Sequence, residues 1–249
     1  MIREDLHMHT TYCDGRDTPR DMVEEAIKKG LDRVGICAHS YTFFDEIPCI
    51  KEKEIPHFID EVNSLKDEFK ENIDVLVGLE KDYFSSTSIE GFDYVIGSVH
   101  YLFINDKYYA IDDTPDILEE CCKKHFGGDY IALCEEFFKL EEDVVNKTHC
   151  SIIGHFNLIT KFNDKMHYFD ENDPRYVSSW KKAIDKLLTY NIPFEINLGG
   201  ISRGNKVSPY PSYEMINYIK NNGGKFVISS DAHSKENIAF DFDKYSIYL

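Results

Sequence analysis

The stretch Asp5–Gly15, DLHMHTTYCDG, sets two histidines one residue apart and follows them with an aspartate and a glycine. At the strand period of two, His7 and His9 share one face. An apolar core rarely needs a side-by-side imidazole pair, whereas a metal ion does. The competing reading is a pair of solvated histidines near a terminus, and this stretch alone does not choose between the two. The endings of the other apolar runs bear on the choice.

Seven short apolar runs recur along the chain: REDLHMH, RVGICAHS, DVLVGLE, DYVIGSVH, CSIIGHF, PFEINLGG and KFVISSDAH. Several are apolar on both faces, as strands covered on both sides must be, and longer amphipathic stretches separate them. This alternation predicts βα units wound into a parallel sheet or barrel. TPRDMVEEAIKKG is the clearest helix, with Thr18 as N-cap, Pro19 in the first turn, Met22, Val23, Ala26 and Ile27 on one stripe, and Gly30 as the stop. PHFIDEVNSLKDEF, DPRYVSSWKKAIDKLLTYN and PSYEMINYIKNNGG follow the same pattern. Residues 114–147 are expected to form two helices inserted over the barrel. With no repeat and no long linker, one domain over residues 1–249 is expected.

The runs finish in His7 and His9, His39, Glu80, His100, His155, and Asp231 with His233. Six of the seven thus close on a potential metal ligand, in a chain with only 10 histidines. In a parallel α/β barrel all C-terminal strand ends converge on one face, which carries the chemistry. His9 and His233 would meet there if the first and last strands pair. Asp14 can lean over the same mouth. His57, His125, His149 and His167 close no run and read as ordinary, although His167 sits on a loop that could touch substrate. Cys37, two residues before His39, reads as a small buried apolar residue rather than a ligand.

Charge narrows the partners. Forty-five acidic against 28 basic residues give a net charge of −17, with no run of five or more Lys/Arg, so long polyanions should be repelled. An acidic protein that handles a small phosphate needs concentrated positive charge, and metal ions supply it. No 18-residue apolar stretch and no leader-like N-terminus is visible, and the seven cysteines include no CxxC pair. A soluble cytoplasmic protein with reduced thiols is expected.

At this point the residues resemble the polymerase and histidinol phosphatase (PHP) superfamily of metal-dependent phosphoesterases. The resemblance rests on HxH in DLHMH with Asp14, the histidine of CAHS, GLE with GSVH, and GHFNL with SDAH. GSVHYLF, IIGHFNLITKF, EINLGG and YPSYEMINYIKNNGGKFVISSDAH look most like its histidinol-phosphate phosphatase branch. The resemblance implies a distorted seven-stranded (β/α)7 TIM-like barrel with three divalent metals. His7, His9, Glu80 and Asp231 would hold the first, Glu80 with His100 and His155 the second, and Asp14, His39 and His233 the third. Imidazole and carboxylate ligands suit zinc, manganese or iron alike. Only SKENIAFDFDKYSIYL follows SDAH, so the closing helix of the barrel is expected to be short or missing.

The implied activity is hydrolysis of a small phosphate monoester, L-histidinol phosphate in histidine biosynthesis, with Glu80, Asp231, His233 and Arg203 at the reacting centre. Three divalent ions against three carboxylates and one hydroxide leave about two positive charges, the complement of a phosphate monoester dianion. Arg203 in GGISRGNK is expected to grip phosphoryl oxygens rather than the ions, with Lys161 a weaker candidate of the same kind. The loop SYTFFDEIPCIKEKEIP combines Tyr41, Phe43 and Phe44 with Asp45 and Glu46, which would enclose a cationic organic group or else pack the loop onto the barrel. Two rivals remain: a phosphoesterase acting on nucleotides or other small esters, and a non-catalytic barrel. A missing ligand would signal the second, and none is missing.

Overall fold

The computed structural model describes residues 3–249. Along the chain run β1 (Glu4–Asp5), α1 (Pro19–Lys28), β2 (Arg33–His39), α2 (Ile55–Phe69), β3 (Asp74–Asp82), β4 (Tyr94–Ser98), β5 (Tyr101–Ile104) and β6 (Lys107–Ala110). They are followed by α3 (Pro115–Phe126), α4 (Tyr130–Thr148), β7 (Ile152–Ile153), α5 (Asn163–Met166), α6 (Pro174–Leu188), β8 (Phe194–Asn197), α7 (Gly199–Ser202), α8 (Tyr213–Asn221), β9 (Phe226–Ser229) and α9 (Phe242–Tyr245).

Seven strands form one sheet in the order β1-β2-β3-β4-β7-β8-β9, every pair parallel. Each of the seven apolar runs supplies one of them. The first and last strands are brought together just beyond their ends, where Met8 pairs in parallel with Ala232. The His9 amide donates to the Ala232 carbonyl at 2.8 Å, and the Ala232 amide donates to the His7 carbonyl at 3.2 Å. Asp5, fully buried, completes the closure by accepting from the Ser230 amide (3.1 Å), the Ser230 hydroxyl (2.5 Å) and the Ala239 amide (2.9 Å). Of the parallel sheet or barrel that the runs allowed, the result is the distorted seven-stranded barrel that the resemblance implied.

The helices obey local signals. Thr18 caps α1 in a reciprocal capping box with Asp21, Pro19 occupies the first turn, and Met22, Val23 and Ala26 are buried on the stripe expected. Asp173 caps α6, which buries Tyr176, Trp180, Ala183, Ile184 and Leu187. The inserted segment is two helices, α3 and α4, capped by Thr114 and Asp129. Their inner faces join Trp180, Phe194 and Tyr210 in one apolar cluster, while α1 and α2 cover β2 and β3 with another. Inside the barrel, beneath the mouth, Leu6, Cys37, Tyr94, Ile96 and Ile152 form a plug.

The one-turn helices α5 and α7 were not anticipated, nor was the antiparallel hairpin that β5 and β6 form directly after His100. Beyond β9 the helical segment is short, as expected. The one-turn α9 contributes Tyr245 to a cluster with Ile196, Leu198, Ile216 and Ile228, and this cluster covers the outside of β8 and β9.

Candidate metal centre

Period two and the parallel register carry the predicted residues to one place. His39 ends β2 and pairs in register with Glu80 on β3, while His7, His100, His155 and Asp231 each lie two residues past the end of a strand. Glu80 stands at the centre. Its Oε1 lies 2.7 Å from His155 Nε2 and 3.3 Å from His100 Nε2. Its Oε2 lies 3.2 Å from His7 Nε2, 3.3 Å from His9 Nε2 and 2.8 Å from His39 Nδ1. Five imidazoles thus converge on one buried carboxylate.

The rim is built by Asp14, His233 and Asp231. His39 Nε2 is 3.5 Å from Asp14 Oδ1 and His233 Nε2 is 3.2 Å from Asp14 Oδ2. Asp231 Oδ1 lies 3.7 Å from His9 Nε2 and 3.9 Å from His7 Nε2. Gly15 lets the Asp14 loop fold down, since a Cβ there would stand 2.4 Å from the His9 and Thr10 backbone. Asp231 itself has φ 49°, a strained left-handed conformation that persists because its surroundings hold it.

The donors fit a divalent ion. Two ligands each about 2.0–2.2 Å from a shared ion stand roughly 3–3.5 Å apart, the spacing at which His7, His9 and His100 stand from Glu80, with His39 and His155 slightly closer. Among the described residues no donor is in hydrogen-bonding geometry to the buried Glu80 Oε2 although three imidazole nitrogens crowd it, an arrangement that suits a carboxylate oxygen facing a cation. Among the described residues, three sets of donors each converge closely enough to hold an ion: His9, Asp14, His39 and His233; His7, His9 and Glu80; His39, Glu80 and His100. His9, His39 and Glu80 each belong to two sets, so the sets share edges.

The charges are strongly coupled. Burial favours a neutral Glu80, but His39, His7 and His100 outweigh it and hold the carboxyl well below its usual range. Burial likewise opposes ionisation of Asp231, which Arg203 and His7 keep well below the usual value. Burial would deprotonate His7, yet Glu195, Glu80 and Asp231 raise it well above normal. Burial beside His39 and His233 lowers His9 to about 3, so that ring is neutral.

A cavity of about 460 Å³ opens from this centre, walled by Asp14, His39, Asp45, Asp112, Lys161 and Arg203 among others. Arg203 lies there, but its Nη1 donates to the Asp231 carbonyl (2.8 Å) and its Nη2 to Asp231 Oδ2 (2.9 Å). It therefore holds a rim carboxylate in addition to facing the cavity, which the expectation of a purely substrate-directed arginine did not include. Gly199 permits this, because a Cβ would meet Asp231 Oδ2 at 2.6 Å and Arg203 Nη2 at 2.7 Å. Lys161 also faces the cavity, paired with Asp112 at 3.1 Å.

Phe43 and Phe44 are not in the cavity wall. Phe44 stacks on Tyr108 of the unforeseen hairpin, with centroids 3.6 Å apart, and Phe43 packs edge-on to both while remaining largely exposed. Their loop reaches the cavity instead through Thr42, Asp45, Ile47, Pro48 and Cys49. The Cys37 thiol donates to the Leu6 carbonyl in the plug, and burial pushes it up to about 12, so it is not a thiolate ligand. Among the four histidines read as ordinary, His149 and His167 end helices in left-handed conformations. Asp82, Asp112 and Glu195 were missed. Glu195 carried a readable signal, a carboxylate inside an apolar run.

A parallel barrel with imidazoles and carboxylates gathered at its C-terminal strand ends defines a metal-dependent hydrolase. The PHP domain profile matches residues 5–198, and the chain belongs to that family of metal-dependent phosphoesterases. It is 24% identical over 276 residues to the histidinol-phosphatase of Bacillus subtilis, covering 98% of both chains. A Listeria monocytogenes structure assigned as a histidinol phosphatase superposes with a TM-score of 0.84 at 17% identity, covering 98% of this chain and all of that one. The histidinol phosphate phosphatase of Lactococcus lactis, solved with zinc, L-histidinol and phosphate, gives a TM-score of 0.76 at 22% identity over 99% of this chain and 92% of that one.

Proposed function

We propose that the chain is a phosphomonoesterase that hydrolyses L-histidinol phosphate to L-histidinol and phosphate with three divalent ions, of which zinc is the first choice. The observation that carries the reading is the convergence of five imidazoles on Glu80, with Asp14, Asp231 and His233 completing a ligand-rich rim at the floor of a cavity of small-molecule size. His7, His9, Glu80 and Asp231 would hold one ion, Glu80, His100 and His155 a second, and Asp14, His39 and His233 a third. Bound ions supply a water acidified enough to attack phosphorus and positive charge for the phosphoryl oxygens.

The chain's own groups do the rest. Glu80 would be shared by two of the ions, while Arg203 lines the cavity, braces Asp231 and brings Nη1 to 3.1 Å from His233 Nδ1. Asp45, Asp112 and Asp113 line the cavity together with Lys161, a lining that suits an alcohol carrying positive charge. All seven cysteines are unpaired, in keeping with a reducing cytoplasmic setting. The test is turnover of histidinol phosphate against a panel of nucleotide and sugar phosphates after reconstitution with zinc, with metal content measured on the same sample. A clear preference for histidinol phosphate is expected; equal or better turnover of mononucleotides would transfer the assignment to the nucleotide reading.

A further inference from the structure

Glu195 lies on β8, the one strand run that ends without a predicted ligand, and its carboxylate is 1% exposed beneath the metal centre. Every group around it is a donor. Oε1 lies 2.5 Å from His7 Nδ1 and accepts from the Ser229 hydroxyl. Oε2 accepts from the His155 amide at 2.8 Å and from Asn197 Nδ2 at 3.1 Å. Asn197 Nδ2 also reaches Asp231 Oδ2 at 3.3 Å. An ionised carboxylate can only accept, so Nδ1 of His7 keeps its hydrogen, and Nε2, the atom that faces Glu80, is the one that would give up its proton and offer a lone pair to an ion. Among the described residues, His155 and His9 lack such a carboxylate, and the one behind His100 is more distant. His155 Nδ1 is buried with no partner, and His9 Nδ1 meets only the Cys13 thiol at 3.4 Å. His100 Nδ1 is 3.3 Å from Asp82.

We propose that Glu195 is a positioning residue that locks His7 in the Nδ1–H tautomer and orients its Nε2 toward the ion shared with His9, Glu80 and Asp231, giving that position its grip on the metal. This rests on the metal reading above and goes beyond it, because Glu195 touches neither ion nor substrate. A carboxylate behind a ligating imidazole fixes the ring and raises its basicity, and its loss lowers metal affinity about 10- to 100-fold.

The experiment compares the wild-type chain with Glu195→Gln and Ser229→Ala, each reconstituted with zinc. A glutamine meets donors on both sides. With its oxygen toward His7, its NH2 opposes the His155 amide and Asn197; turned over, it forces His7 into the Nε2–H tautomer. The expected result is that Glu195→Gln, folded by circular dichroism, binds one zinc per chain about 10- to 100-fold more weakly in a chelator competition while the others keep their affinity. Ser229→Ala, which removes a different donor from the same carboxylate, should retain all of them. Uniform weakening of every zinc in Glu195→Gln, or equal loss in both variants, would mean a merely structural role and overturn the proposal. Should Glu195→Gln fail to fold, 15N-histidine NMR of the zinc-loaded wild type decides: a hydrogen-bonded Nδ1–H on His7 is expected, and coordination through Nδ1 overturns it. A wild-type chain that takes up no zinc, manganese or iron would instead refute the metal reading itself.

Discussion

Glu80→Gln keeps the shape of the side chain and removes one negative charge from the point where five imidazoles meet. In the structure both oxygens are committed: Oε1 accepts from the Ser98 hydroxyl at 2.8 Å and faces His155 and His100, while Oε2 faces His7, His9 and His39. An amide must turn its NH2 toward one of these two sets of nitrogen atoms, so one side of the shared ligand becomes a donor aimed where an ion should sit. Removing one partner of a buried charge pair costs about 3–5 kcal/mol, which corresponds to a metal affinity roughly 10²- to 10⁴-fold weaker for the ions that share Glu80. The barrel should survive, because the apolar plug of Leu6, Tyr94, Ile96 and Ile152 and the Met8–Ala232 pairing do not involve Glu80. The assay is zinc competition against a chelator, with elemental analysis, turnover of histidinol phosphate and a far-ultraviolet spectrum on the same protein. Turnover should vanish at zinc concentrations that saturate the wild type. Wild-type zinc affinity and turnover in a folded variant would refute the reasoning, since Glu80 would then bridge nothing.

Arg203→Ala should lower turnover about 30- to 1000-fold through lost charge-assisted contacts, and it should also weaken zinc binding, because Asp231 loses the cation that keeps it ionised. Unchanged zinc affinity would restrict Arg203 to substrate. In the metal-free chain, carboxylates raise His7 and His100 well above the usual imidazole value against the effect of burial. Their contribution to stability is therefore complete below about pH 6.5 and fades as pH rises through the raised values. Zinc must displace these protons, so uptake should strengthen with pH beyond 6.5 and release protons in weakly buffered solution; zinc affinity that is flat between pH 6 and 8 would contradict this. Asp5→Ala strips partners from the Ser230 and Ala239 amides at the barrel seam and should destabilise the chain by about 2–4 kcal/mol in urea unfolding, and a loss below 1 kcal/mol would show that the seam does not depend on it.

All seven barrel strands and the order of α1, α2, α6 and α8 were legible in the sequence, because apolar runs, period two, N-caps and helix stripes are local properties of the chain. The gathering of His7, His9, Asp14, His39, Glu80, His100, His155, Asp231 and His233 at one mouth was legible for the same reason: parallel strands put their C-terminal ends on one face whatever the details of packing. The hairpin after His100 was not, since its strands, Tyr101–Ile104 and Lys107–Ala110, are short and their pairing supplies an aromatic surface that only Phe43 and Phe44 explain. Those two phenylalanines follow the hairpin instead of the cavity, a choice between two apolar destinations that composition does not make.

The sequence by itself determined which residues are chemically able to hold ions and on which end of the barrel they lie. Only the tertiary structure decided who supports them: Arg203 reaching across Gly199 to Asp231, and Glu195 beneath His7, 188 residues away in the chain. Period two states the face a side chain takes, but the partner it meets depends on which strands adjoin and on the register of their pairing. Both are products of the whole folded chain.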